Sequence, residues 1–223
     1  MSRTCILRWN PSLGVSVAIL AAVSAQASNP RTQLLNKLPL RFEENRGRDL
    51  RAGVKYIAHA PNLRLSLSAG GSWLDWRDPT HGKIGYVQTR LVNARADAQL
   101  DVEDRLSGTS NYFVGAARNW RSGVAGFGRI RYRDVYAGID LVFRGEEGRL
   151  EYDFILAPHA DPRAIRLELT GQRSLRIDRD GDLVIGTDAG EIRWKAPEAY
   201  QDSSNNGRRP VSGRFVIEGK RLV

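Results

Sequence analysis

The fold class this sequence predicts is all-β: an antiparallel β-sandwich of meander hairpins with one or two short helical turns. Three observations predict it. Apolar residues recur at every second position in short runs, among them Leu63, Leu65, Leu67 and Leu150, Tyr152, Phe154, Leu156, the period that turns one side of a strand toward a core. Turn-forming pairs such as Pro61-Asn62, Gly70-Gly71 and Asp180-Gly181 separate these runs at hairpin spacing. The stretch Arg129 to Pro162 combines the clearest alternation with the tightest turn signals, so the rest of the chain is read around it.

The chain has 223 residues, a length that suits one β domain. Met1 to Ala27 stands apart. Arg3 and Arg8 precede the apolar run Leu13 to Val23, which is too short to span a bilayer, and Ala25-Gln26-Ala27 supplies small residues for cleavage. A Sec-type leader cut after Ala27 is the expectation, and with it an extracytoplasmic, secreted or cell-surface location with no membrane span in the mature chain. Cys5 is the sole cysteine and leaves with the leader, so thiolate metal sites and cysteine catalysis are excluded from the mature protein.

Charge narrows the partners. The full chain carries 34 Lys+Arg against 25 Asp+Glu, a net +9. The arginines are scattered singly through alternating segments rather than gathered in runs, the pattern of solvated strand faces and not of a nucleic-acid surface. Surface glycans or envelope proteins are the expected partners, with no nucleic acid and no cofactor.

In chain order, Asn29-Pro30 caps a short helical segment over 28–39 that ends at Pro39, and residues 40–223 form a single all-β domain. Leu40 to Glu43 opens it, followed by turn chemistry at Asn45-Arg46-Gly47. Strands follow at Val54 to Ile57, Leu63 to Leu67, Trp73 to Trp76, Ile84 to Val92 and Ala98 to Val102. Leu106 to Gly128 is glycine-rich and reads as the least regular part. Ile139, Leu141 and Phe143 then face Leu150, Tyr152 and Phe154 across a hairpin closed at Gly145-Glu146-Glu147-Gly148. With Glu146 and Glu147 as the loop residues, Phe143 stands opposite Leu150 and Leu141 opposite Tyr152. Asp161-Pro162 starts a single helical turn. Strands at Ile165 to Leu169, Leu175 to Ile177, Leu183 to Ile185 and Ile192 to Trp194 follow, then a polar loop from Ser203 to Pro210 and a last strand from Phe215 to Ile217.

Two constellations are candidates for function. Asn111, Tyr112, Phe113 and Trp120 lie on the irregular segment, where aromatic rings either offer a sugar-stacking platform or plug the end of the sandwich. The hairpin register sets Asp140 opposite Asp153 on the face away from the core. Opposed carboxylates repel, so they serve as a glycosidase-like pair or a cation site, or they are neutralised by Arg131, Arg133, Arg144 or Arg149 as a surface network. Asp178-x-Asp180-Gly181-Asp182 lacks the acids of a calcium loop and reads as a turn. His59, His81 and His159 have no partner at metal-ligand spacing, and no nucleophile elbow, phosphate loop or zinc-binding helix is present.

Several pieces together carry a resemblance: Phe42-Glu43-Glu44-Asn45-Arg46-Gly47, Ser110 to Gly115, Trp120-Arg121, Asp134 to Phe143 (DVYAGIDLVF), Leu150 to Phe154 (LEYDF), Ala160-Asp161-Pro162 and Asp180 to Leu183. The chain resembles the uncharacterised, DUF7948-like N-terminal all-β domain of bacterial surface proteins that carry SBBP (β-propeller-like) repeats. The resemblance runs from about Leu40 to Ile217. It implies export, an all-β fold and an adhesion-like or structural role, and it supplies no catalytic residue. Arg48 stands where a glutamine is usual, Ala116-Ala117 replace a polar turn, and His159 replaces a glycine. The sequence stops at Val223 where relatives run on into a further strand, and the expectation that follows is an exposed edge able to pair with a partner chain. The function expected is therefore a secreted or cell-surface, non-catalytic module, with a carbohydrate-binding module or a glycoside hydrolase using Asp140 and Asp153 as alternatives.

Overall fold

The computed structural model describes residues 17–24, 40–60, 62–78, 81–146, 149–203 and 207–218, and of Val17–Ser24 the backbone alone. The helical segment expected over 28–39 lies outside the described residues. Among these, helical structure is confined to two single 3-10 turns, Ala117–Asn119 and Pro162–Ala164. The second has the predicted cap, since the Asp161 carboxylate accepts from Arg163 N at 3.0 Å with Pro162 at the first position.

Among the described residues sixteen strands follow one another: β1 (Val17–Ser24), β2 (Arg41–Glu44), β3 (Val54–Ala60), β4 (Leu63–Ser68), β5 (Gly71–Arg77), β6 (Ile84–Leu91), β7 (Gln99–Tyr112), β8 (Arg121–Tyr136), β9 (Ile139–Glu146), β10 (Arg149–Leu156), β11 (Leu167–Thr170), β12 (Ser174–Ile177), β13 (Leu183–Thr187), β14 (Gly190–Trp194), β15 (Glu198–Ser203) and β16 (Gly207–Val211). All the pairings are antiparallel and join into one sheet ordered β11-β6-β5-β4-β3-β2-β8-β9-β10-β1-β14-β13-β12, with β7 on β8 and the β15–β16 hairpin on β1. The meander from β2 to β6 and the β12–β13–β14 run lie where the alternation and the turn pairs put them.

The sheet curls until its two halves face each other, which gives the sandwich-like β fold expected. Leu65, Leu74 and Leu167 from one half line the same interior cavity as Phe143, Tyr152 and Trp194 from the other. Tyr132 on β8 is fully buried and reaches across to donate to Gly71 O at 3.5 Å. The core is aromatic at its centre, with Tyr132, Phe143, Tyr152 and Trp194 linked by successive ring contacts of 5.6 to 6.1 Å.

Four readings are corrected. The hairpin β9–β10 pairs Glu146 with Arg149 and Phe143 with Tyr152, so its register is two residues from the one expected. A two-residue shift keeps every side chain on its own face, and the apolar set is buried as predicted. Gly145 sits against Leu40, and a Cβ added there would lie 2.0 Å from the Leu40 Cβ, so the glycine belongs inside the strand and not in the turn. Of Leu106 to Gly128, read as irregular, Leu106 to Tyr112 and Arg121 to Gly128 belong to the long strands β7 and β8, and only 113–120 between them lies outside a strand. Positive φ at Asp104, Gly108 and Gly123 and two register shifts break the period of two that reveals a strand. Ser203 and Gly207 to Pro210, read as part of a polar loop, belong to the paired strands β15 and β16, whose ladder runs from Ala199 opposite Val211 to Ser203 opposite Gly207. Phe215 to Ile217 forms no strand, although Phe215 is buried in the core.

Candidate functional site

Glu43 and Arg41 of β2 hold the long β7–β8 hairpin. Glu43 is 3% exposed, and its carboxylate accepts from Ser110 Oγ and Tyr112 Oη, both at 2.6 Å. Arg41 Nε at 3.0 Å and Arg48 Nη1 at 2.8 Å complete its surroundings. Burial pulls the Glu43 carboxyl up, but the hydroxyl donors and Arg48 outweigh it and hold the group below its ordinary value. The Arg41 guanidinium also donates to Gly108 O and Val124 O, each at 3.1 Å, tying both hairpin strands to β2. Gly126 makes room for it, since a Cβ there would lie 2.2 Å from Arg41 Nε. Arg48 stacks on Tyr112 at 4.3 Å.

A second carboxylate braces the turn after β2. Asn45 donates to Asp49 O and Val54 O at 2.8 and 3.0 Å and accepts from Asp49 N at 2.7 Å. Asp49 in turn receives Ser66 Oγ at 2.5 Å and pairs with Arg64 at 2.9 Å. Phe42 to Gly47 is thus a scaffold for the hairpin. Sequence reading found the motif and missed its purpose, because the hydroxyl partners of Glu43 lie 67 and 69 residues away in the chain.

Beyond this anchor the hairpin ends in an apolar tip. Phe113, Val114 and Trp120 are 60%, 77% and 49% exposed, which rules out the reading that this segment plugs the sandwich. The Phe113 and Trp120 rings meet edge to face at 5.3 Å and 74°. Trp120 Nε1 donates to Gly115 O at 3.3 Å, and the 3-10 turn closes with Trp120 N to Ala117 O at 3.0 Å. Arg121 Nη1 donates to Arg118 O at 3.1 Å and Trp120 O at 2.9 Å. Asn111 and Tyr112 have different duties: Asn111 Oδ1 accepts from Gly123 N at 2.9 Å, and Tyr112 belongs to the Glu43 anchor. Of the four residues singled out in the sequence, Phe113 and Trp120 form the tip, and Asn111 and Tyr112 support it.

Asp140 and Asp153 are not opposite one another. Asp140 pairs in register with Ile155 and Asp153 with Val142, so the two are diagonal neighbours. Each has its own arginine: Arg131 lies 3.0 Å from Asp140 and 2.7 Å from Glu103, and Arg144 lies 3.0 Å from both Asp153 and Glu151. Asp140 also accepts Asp134 N at 2.6 Å where Asp134, at φ 50°, bulges out of β8. Burial pushes the Asp153 carboxyl up against the pull of Arg144. The acids and arginines of β7 to β10 thus form a cross-strand network. Asp178 likewise closes a turn, accepting from Asp180 N and Asp182 N at 3.0 Å. Among the described residues, no group of three or more His, Cys, Asp or Glu side chains is placed to hold a metal ion. The interior cavity measures about 30 Å³, against roughly 300 Å³ or more for small-molecule sites.

A family profile described as a domain of unknown function, DUF7948, matches residues 42–223. The chain belongs to the DUF7948 family. No curated protein and no solved structure matches it. The match starts at Phe42 of β2, so the DUF7948 region takes in the Glu43 anchor, the hairpin tip and the β9–β10 network, and it begins downstream of β1.

Proposed function

We propose that this DUF7948 domain is a non-catalytic interaction module of an exported, surface-associated protein, and that it docks through the tip of the β7–β8 hairpin. One observation carries the reading. Three large apolar side chains, Phe113, Val114 and Trp120, are exposed together on a turn whose base is fixed by a buried carboxylate. Aromatic anchors on a rigid support are the usual centres of binding energy, because little conformational freedom is lost when they are buried. The leader-like Met1 to Ala27 supports export, and the resemblance supports a place ahead of SBBP repeats in a larger surface polypeptide.

The edge-to-face rings make a wedge rather than the flat face on which a pyranose stacks. An envelope protein with an apolar pocket suits that shape better than a glycan. The test is binding of the labelled protein to intact bacterial cells, with Phe113→Ser/Trp120→Ser beside the wild type. Loss of binding in the double variant, with an unchanged unfolding midpoint, supports the reading. Abolition by protease treatment of the cells identifies a protein partner, and abolition by periodate a glycan. Equal binding by the double variant overturns it.

A further inference from the structure

The strand β1 is the sole ladder joining two parts of the sheet among the described residues. It pairs on one side with β10, from Val17 opposite Leu156 to Val23 opposite Leu150, and on the other with β15 and β14. No other pairing links β12 to β16 with the rest. Yet Val17–Ser24 lies within the leader expected to be cut after Ala27 and takes in Val17 to Val23 of its apolar run. With β1 gone, β10 and β15 would face each other across one strand's width, about 4.8 Å beyond pairing distance. Both are antiparallel to β1 and so parallel to one another. Closing the gap would demand a new parallel ladder and would drive Trp194 of β14 into Tyr152 of β10, whose rings are already in contact at 5.6 Å. The gap therefore keeps its shape and exposes two rows of unpaired backbone groups, which is the condition for adding a strand.

We propose that the gap between β10 and β15 is a strand-acceptor site, occupied in the precursor by Val17–Ser24 and, in the exported protein, by an aliphatic β-strand from another polypeptide. This rests on the reading that the leader is removed on export. The chemistry of the occupant follows from the register. The positions facing Leu150, Tyr152, Phe154 and Leu156, all buried, hold Val23, Ala21, Ile19 and Val17 in this chain. The incoming segment is thus extended, uncharged over seven or eight residues, and aliphatic at alternate positions. Both its edges are paired, so a proline within it removes a ladder donor whichever way that donor points.

Three measurements test this. The N-terminus of the exported protein, read by mass spectrometry, decides the leader reading alone: Ser28 supports it, and a terminus before Val17 overturns the partner-strand half of the proposal. In the full-length chain carrying Cys5→Ser, the pair Ala18→Cys/Ile155→Cys stands in direct register and is expected to form a disulfide. The pair Ala18→Cys/Asp153→Cys, two positions away, is expected not to. Absence of the first bridge in a folded chain overturns the placement of β1. Finally, a specific protease site inserted after Ala27 of the folded chain lets the leader be cut in place. A fluorescent peptide with the sequence Val17–Ser24 and a solubilising lysine tail is expected to bind the cut protein, and its Leu20→Pro version to bind roughly tenfold or more weakly. Equal binding of the two peptides, or no binding to a cut protein that has lost its leader and kept its circular dichroism, overturns the acceptor site.

Discussion

Removing the Glu43 carboxylate should loosen the hairpin on which the tip stands, and the structure sets the size of the effect. Glu43 receives two hydroxyl donors at 2.6 Å and two guanidinium groups at 2.8 and 3.0 Å. Hydrogen bonds to a charged acceptor contribute about 1.5 to 3 kcal/mol each. The side chains of Arg41 and Arg48 are 25% and 17% exposed, so they regain water when the carboxylate is lost, and their share is discounted. Glu43→Ala is therefore expected to cost about 3 to 5 kcal/mol, or roughly 10 °C in unfolding midpoint for a domain of this size. Tyr112→Phe should cost about 1.5 kcal/mol. In urea unfolding followed by circular dichroism at pH 7, the double variant should fall short of the sum by about 1 to 2 kcal/mol, because the same bond is removed in both. Additivity within about 0.5 kcal/mol, or a Glu43→Ala cost under about 1 kcal/mol, would refute the anchor. The sign with pH follows from the lowered carboxyl. Its contribution is fully present above the unfolded value of 4.5 and is lost as pH falls through the lower folded value, so wild type and Glu43→Gln should converge in acid.

Two further outcomes are expected. Gly145→Ala places a Cβ 2.0 Å from the Leu40 Cβ and 2.7 Å from its backbone; the overpacking should cost about 1 to 3 kcal/mol or more, read as a lower urea midpoint with an unchanged slope. Asp153 behaves oppositely to Glu43, because its carboxyl is raised by burial, so the ionised form weakens the fold above the raised value and the penalty vanishes below 3.8. Asp153→Asn should be neutral or up to about 1 kcal/mol more stable at pH 7, with the gain lost as pH approaches 3.8; marked destabilisation at pH 7 would show that the charge is needed.

The physics of neighbours in the chain explains what was legible. Alternation and turn residues are local signals, so the meander from β2 to β6, the apolar face of β9–β10 and the capped turn at Asp161-Pro162 could be read directly. Bulged strands hide that signal. Three positive-φ residues concealed the hairpin that carries the tip, and the aromatic residues on it were visible without their setting. The choice between platform and plug depended on exposure, which composition does not encode. The Asp140–Asp153 pairing failed for a different reason: hairpin register follows from the turn, and displacing the turn by one residue shifts the pairing by two and keeps the same buried face.

By itself the sequence determined the all-β class, the buried face of the β9–β10 hairpin and the capped turn at Asp161-Pro162, because each depends on groups a few positions apart. Only the tertiary structure decided that Glu43 holds Ser110 and Tyr112, that Phe113 and Trp120 stand out on a braced tip, and that among the described residues β1 alone bridges β10 to β15. The anchor and the bridging strand join residues separated by 67 to about 180 positions, a distance at which no local propensity acts and only the curl and order of the sheet bring groups together.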